Sequence, residues 1–485
     1  MSAPATGLAR RDPFTLSDKL WEDLERHIEV ALARARRDGR RTIASVTGPI
    51  AAGLDLSAAV LASRAPQDRF FCFEQPDRDG SAVCSLGTAA AIEAHGPGRF
   101  ADAAAACRTL ASRTVTDAAG SDPGRPAGAG PMFTGGFSFA PEGGAAPEWA
   151  GFAPAQLALP EVSLARCGDQ ARMTVSVAVE SDDTADALLA RCAGRVAGLR
   201  AATLGLVDPD PIARPRVASA APPSHYEEAV RRAVERIRGG GLDKVVLARE
   251  VRVHAGGEID PAPVLGALRA AFAACYCYCI GGPEGTFIGA SPELLVRRDG
   301  SRAQTVALAG TTRRSADPSV DAHLGEQLRQ SPKDRSEQEI VVRRIERTLD
   351  PVSVWVAAAE EPVLVKVQNV QHLATPIRAQ LSHSVSAIEL AGRLHPTPAV
   401  GGEPTAEAMP LIPALEGLDR GWYAGALGWT DLAGDGELCV ALRCGLIRGA
   451  TAHLYAGCGI VADSEPAAEL AETEVKLAAL LPLLA

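Results

Sequence analysis

Apolar positions in this 485-residue chain recur with two periods, one helical and one strand-like. Leu20, Leu24 and Ile28 repeat at helical spacing and predict a helix over 16–37. Short apolar runs at 42–47 and 69–73 read as strands, as do Gly135-Gly136-Phe137-Ser138-Phe139 and 170–180. A helix is expected over 182–203. Residues 117–131 are rich in Gly, Ala and Pro and read as a loop, and 1–15 as a disordered tail. The sharpest change in composition is the Pro-rich stretch 207–223, an internal connection between an N-terminal half (16–206) and a C-terminal region (224–485).

Punctuation is clearer in the second region. Ser224-x-x-Glu227 has the form of a capping box, Val230, Val234 and Ile237 make a helical stripe, and Gly239-Gly240-Gly241 ends it. A strand at 243–253 follows. Asp260-Pro261 opens a helix to about 273, with the cap before a first-turn proline. Gly282-Pro283-Glu284-Gly285 turns the next strand back on itself, and Asp299-Gly300 signals a hairpin before a strand at 302–309. Beyond lie a helix at 333–349, strands at 363–370, 423–430, 437–448 and 453–462, and a helix from Ser464 to about 481. Helices mixed with antiparallel hairpins, without strict βαβ alternation, imply an α+β fold.

Composition narrows the function. Apolar content of 47% and charged content of 22% are globular values. A net charge of −10 excludes a general nucleic-acid binder, which needs a basic face. No apolar run approaches the roughly 20 residues that span a bilayer, and no secretory pattern follows the two N-terminal arginines. Cys275, Cys277 and Cys279 alternate with tyrosines, which fits one face of a strand better than a metal cluster. Reduced thiols without a signal peptide point to the cytoplasm.

Lysine is scarce: of 49 basic residues only Lys19, Lys244, Lys333, Lys366 and Lys476 are Lys. Lys244 opens the apolar run Lys244-Val245-Val246-Leu247-Ala248. An amine can lose its proton when desolvated, which a guanidinium cannot. A snorkelling strand-edge lysine fits the position equally. Asp334 and Glu337 share one helix face, and Glu469 and Glu472 another. Four carboxylates on two helices suit Mg²⁺, although two solvated faces with Arg335 and Arg343 as partners fit the same spacing. Lys333 and Lys476 lie beside these pairs. Glu293, between apolar runs, is either a carboxyl of raised pKa or an exposed turn residue. Gly310-Thr311 and Gly457-x-Gly459 offer backbone N–H groups to anions. His372 reads first as a satisfied core histidine.

Together the segments KVVLAR (244–249), FIGASPELL (287–295), Gly310-Thr311, KDRSE (333–337), QHLAT (371–375), HPTPAVGG (395–402), Tyr423-Ala424-Gly425, Ala441-Leu442-Arg443 and GCGIVADSEPAAELAETEVK (457–476) resemble the chorismate-utilising enzymes. The likeness is greatest to isochorismate synthases and covers about 224–480 in order. It implies one large unit with two antiparallel sheets flanked by helices. It also implies that Lys244 is the base that activates water and Glu293 the acid that protonates the departing C4 hydroxyl. Glu337 and Glu472 would be Mg²⁺ ligands, with Asp334 and Glu469 close by. Tyr423 and Arg443 would bind a substrate carboxylate, and Gly310, Thr311, His372, Gly457, Gly459 and Lys476 would make other substrate contacts.

Ammonia-using relatives carry Gln in place of Lys244, or Lys in place of Ala309, so the resemblance implies water as nucleophile and no glutaminase subunit. It further implies a monomer acting on chorismate, with a product that feeds siderophore, salicylate or menaquinone biosynthesis. The alternatives are a salicylate synthase, which goes on to eliminate pyruvate, and an inactive homologue.

Overall fold

A computed structural model of the chain describes residues 13–117, 125–208, 214–368 and 370–484. Two large sheets face each other, and every strand pairing in them is antiparallel except one short contact between Thr42–Pro49 and Thr114–Val115. The first sheet runs, edge to edge, through Arg216–Ser219, Lys244–His254, Thr451–Ile460, Cys444–Arg448, Gly285–Ser291, Tyr276–Gly282, Phe70–Gln75, Ser81–Leu86, Val162–Cys167, Gln170–Val179, Thr42–Pro49 and Thr114–Val115. The second runs through Ser353–Ala358, Val370–Leu381, Arg302–Arg313, Leu294–Asp299, Gly436–Val440, Ala426–Asp431, Met132–Phe137, Ala155–Leu159 and Ala90–Ala94. Both sheets draw strands from either side of the Pro-rich connection. This is the α+β architecture expected.

The strand Tyr276–Gly282 shows how the layers are built. Tyr276 and Tyr278 enter the core between the sheets. Cys275, Cys277 and Cys279 enter a second core, under helices such as Asp18–Asp38 and Pro261–Ala271. The cysteines are therefore small core side chains, as the alternation predicts, and all eleven thiols are free. Among the described residues no helix is long and apolar enough to cross a membrane.

Several boundaries differ from the sequence pattern, each for a local reason. The expected tail at 1–15 lies mostly outside the described residues, but Phe14 is fully buried in the outer core. The loop at 117–131 and the connection at 207–223 also fall partly outside them. The helix expected at 182–203 is Ala185–Ala197, capped by Thr184 and closed at Gly198. Ser224 is no cap: Pro223, with its fixed φ, starts that helix earlier. Ser464 does not cap the last long helix either, since its hydroxyl accepts Val461 N–H and the helix is Pro466–Leu477. Residues 363–370 are not one strand: Val363–Lys366 is a short strand that pairs antiparallel with the separate strand Val370–Leu381.

The apolar run 437–448 is likewise two strands, Gly436–Val440 in the second sheet and Cys444–Arg448 in the first. The chain changes sheet at Ala441–Arg443, where Arg443 adopts a left-handed φ of 49°. Continuous hydrophobicity conceals such a crossing, because both strands are buried.

Sheet two leaves no room beside Gly428. A Cβ there would lie 2.0 Å from Glu437 O and 2.8 Å from Leu438 Cα. Gly428→Ala is expected to cost about 1–3 kcal/mol through overpacking, measured as a lowered chemical-denaturation midpoint.

Candidate active site

Two places where the chain passes from one sheet to the other lie side by side. The first is Ser291–Glu293, between Gly285–Ser291 and Leu294–Asp299. The second is Ala441–Arg443. They are hydrogen-bonded together: Ser291 Oγ donates to Val440 O, Val440 N–H to Glu293 O at 3.0 Å, and Ala290 N–H to Arg443 O at 3.1 Å. This seam delivers Glu293 and Arg443 to one cleft.

The cleft is lined by Glu293, Gly310, Thr311, Asp334, Glu337, His372, Tyr423, Arg443, Gly457, Gly459, Glu469, Glu472 and Lys476. Lys244 stands just behind the wall, 1% exposed, with Nζ 2.7 Å from Glu337 Oε1. Every residue to which the resemblance gave a role thus converges here, although the segments carrying them span more than two hundred positions. The glycines serve close approach more than anion binding. A Cβ on Gly459 would lie 2.6 Å from Glu337 Oε1 and 2.7 Å from Lys244 Cε. Gly310, with φ 70°, is the extra residue of a bulge that sets Thr311 opposite His372.

His372 is not merely a core histidine. Its Nε2 lies 3.2 Å from Arg443 Nη2, and its Nδ1 is 3.1 Å from Thr311 Oγ1 and 3.2 Å from Gly310 O. Arginine can only donate, so Nε2 accepts and the proton sits on Nδ1. Burial, reinforced by the charges of Arg443 and Lys476, pushes its pKa down to about 3, so the ring is neutral.

Glu293 is 3% exposed, which excludes the exposed-turn reading. Burial raises its carboxyl to about 8, against the opposing charges of Lys244 and Arg443. It is a carboxylic acid at neutral pH. Two of the other carboxylates pair with lysines on the cleft side: Glu472 with Lys476 at 2.7 Å and Glu469 with Lys333 at 3.5 Å. Arg335 and Arg343 instead pair with Glu361 and Glu339, so the solvated-face reading fails for the cleft side of that helix. Burial would lower the Lys476 ammonium, yet Cys458 and Glu472 hold it above its ordinary value.

The donor chemistry fits Mg²⁺. Asp334, Glu337, Glu469 and Glu472 supply hard oxygens on two helices. Burial and then the neighbouring Glu337 raise the carboxyl of Asp334, and burial and then Glu472 raise that of Glu469. Carboxylates that crowd one another in this way are relieved by a divalent cation. The sequence pattern did not reveal Cys458, whose Sγ lies within 4.8 Å of oxygens of both Glu469 and Glu472. Its position between two cleft-lining glycines was the available sign: alternation turns it to the other face, toward the helix Pro466–Leu477. Tyr455, stacked on Tyr423 at 5.4 Å, was also missed.

Comparison with known proteins gives the family of the chain. Residues 30–485 match the family described as "Chorismate binding enzyme". The chain is 37% identical to the salicylate biosynthesis isochorismate synthase of Pseudomonas aeruginosa, over 84% of this chain and 83% of that one. It is 38% identical to isochorismate synthase MenF of Bacillus subtilis, over 72% and 73%. The structure of MenF, the menaquinone-specific isochorismate synthase from Escherichia coli, superposes with a TM-score of 0.77 at 26% identity, over 95% of this chain and all of that one.

The raised carboxyl has a thermodynamic signature. The native state keeps the Glu293 proton up to about pH 8, whereas the unfolded chain loses it near 4.5. Stability is therefore lost as pH rises between those values. Glu293→Gln removes this penalty. Denaturation at pH 8 is expected to show a gain on the order of a few kcal/mol over wild type, and no gain near pH 4.5.

Proposed function

The chain belongs to the chorismate-binding enzyme family, and we propose that it is an Mg²⁺-dependent isochorismate synthase, which interconverts chorismate and isochorismate. The observation that carries this reading is one cleft lined by a buried carboxyl, Glu293, with a buried amine, Lys244, directly behind its wall.

Chorismate is a cyclohexadiene carboxylate that bears a C4 hydroxyl and an enolpyruvyl ether, which carries the second carboxylate. Water adds at C2, the double bonds shift, and the C4 hydroxyl departs as water, so the product is an isomer. Lys244 takes the proton from the attacking water. Glu293 gives its proton to the departing hydroxyl, and burial is what keeps that proton available. The two groups then exchange protons with solvent to reset. Arg443, oriented by His372 Nε2, binds a substrate carboxylate together with the Tyr423 hydroxyl. Glu337 and Glu472, with Asp334 and Glu469, would hold Mg²⁺. When bound, the ion neutralises the ring carboxylate and draws electron density from the diene. Water as nucleophile requires no glutaminase partner.

Purified protein with chorismate and Mg²⁺ is expected to form isochorismate in equilibrium with chorismate, unaffected by ammonium, as read by chromatography. Salicylate with pyruvate would place it with the salicylate synthases, and an aminated product would overturn the assignment. Lys244→Gln should fold with an unchanged melting temperature and lose turnover; wild-type rates in that variant contradict the base assignment. Glu472→Gln should weaken Mg²⁺ binding about tenfold or more by calorimetry, an effect absent if the carboxylate is no ligand.

A further inference from the structure

The strand that begins with Lys244 has one complete edge and one incomplete one. It pairs with Thr451–Ile460 along its length. On the other edge Lys244 and Val245 pair with Glu403 and Gly402, and Val246 N–H donates to Gly401 O at 2.8 Å. The strand Arg216–Ser219 takes over only from Val251. Between these, Val246 O and Ala248 N–H face no strand, and a buried backbone group without a partner is costly.

Two side chains stand in for the missing strand. Arg420 Nη2 donates to Val246 O at 2.9 Å, and Glu416 Oε1 accepts Ala248 N–H at 2.7 Å. The same guanidinium donates through Nη1 to Val400 O at 2.8 Å and through Nε to Glu416 Oε2 at 3.0 Å. It lies 4.2 Å from the ring centroid of Phe139 and 5.7 Å from that of Tyr423. Both side chains are at most 2% exposed. Neither lines the cleft, yet Val246, Val400 and Tyr423 all do. One buried guanidinium therefore touches three walls of the cleft, drawn from three separate parts of the chain.

We propose that the Glu416–Arg420 pair is a positioning device for the reaction, which holds the Lys244 strand, the Thr397–Val400 loop and the Tyr423 ring in register without touching substrate. This rests on the chorismate reading of the cleft. A buried ion pair is an inefficient way to gain stability, since apolar residues of similar volume often serve as well. What leucine and methionine cannot supply is direction. The planar fork of arginine fixes its acceptors relative to one another, and a displacement of about 1 Å in a catalytic group can cost 100-fold in rate.

The test is the double variant Glu416→Leu/Arg420→Met, beside Arg420→Lys. The double variant is expected to melt within a few degrees of wild type. Its kcat should fall about 100-fold with a smaller change in KM, and amide hydrogen exchange over 243–249 should quicken. The pH dependence of kcat should be unchanged, because neither residue donates or accepts the reacting protons. Arg420→Lys should recover part of the rate. A folded double variant with wild-type kcat and KM overturns the proposal. If the double variant does not fold, Arg420→Lys decides alone: wild-type kcat with an unchanged melting temperature is the overturning result. A wild-type product other than isochorismate would defeat the functional reading only, because the ratio of variant to wild-type rates still measures positioning. With no wild-type turnover, unchanged amide exchange in the folded variant would be the overturning result.

Discussion

The seam where two strand crossings meet governs the cleft. A residue in the middle of a sheet strand can present its side chain only to one face or the other. At a crossing the backbone leaves one sheet before it joins the next, and the side chains there can point along the gap between them. Glu293 and Arg443 both occupy such positions, and Val440, Ser291 and Ala290 tie the two crossings together through backbone and hydroxyl hydrogen bonds. The left-handed backbone of Arg443 belongs to this geometry and is tolerated because both flanking strands are fixed. The acid and the cationic group are thus set relative to each other by the sheets and not by a flexible loop.

Burial then does the electrostatic work. The same apolar surroundings that raise Glu293 hold His372 neutral, and they leave Lys244 with a carboxylate as its close partner. Around the cleft, the carboxylates Glu337, Glu469 and Glu472 pair with Lys244, Lys333 and Lys476. A dicarboxylate entering with a divalent cation would leave that balance unchanged. This gives a physical reason for a metal ion and a doubly charged substrate to share one site.

Much of this was legible in the chain. The three-residue spacing of Asp334 and Glu337, and of Glu469 and Glu472, places each pair on one helix face whatever the fold. The scarcity of lysine drew attention to Lys244, Lys333 and Lys476, all of which reach the cleft or its wall. Hairpin signals at Asp299-Gly300 and Gly282–Gly285 held because turn chemistry is local. The same local logic failed at Ser224, where an adjacent proline competed for the helix start, and at Ser464, whose hydroxyl was used in a turn.

By itself the sequence determined the class of fold and which helix faces hold the paired carboxylates, because those follow from residue type, spacing and periodicity, while the resemblance of its motifs to a known family named the side chains expected in the cleft. Only the tertiary structure decided that the run 437–448 divides between two sheets and that Cys458 lies against the carboxylates. It alone decided that Glu416 and Arg420 complete the edge of the Lys244 strand. Each of these depends on which segments become neighbours in space. A hydrophobic pattern records that a residue is buried, not what it is buried against.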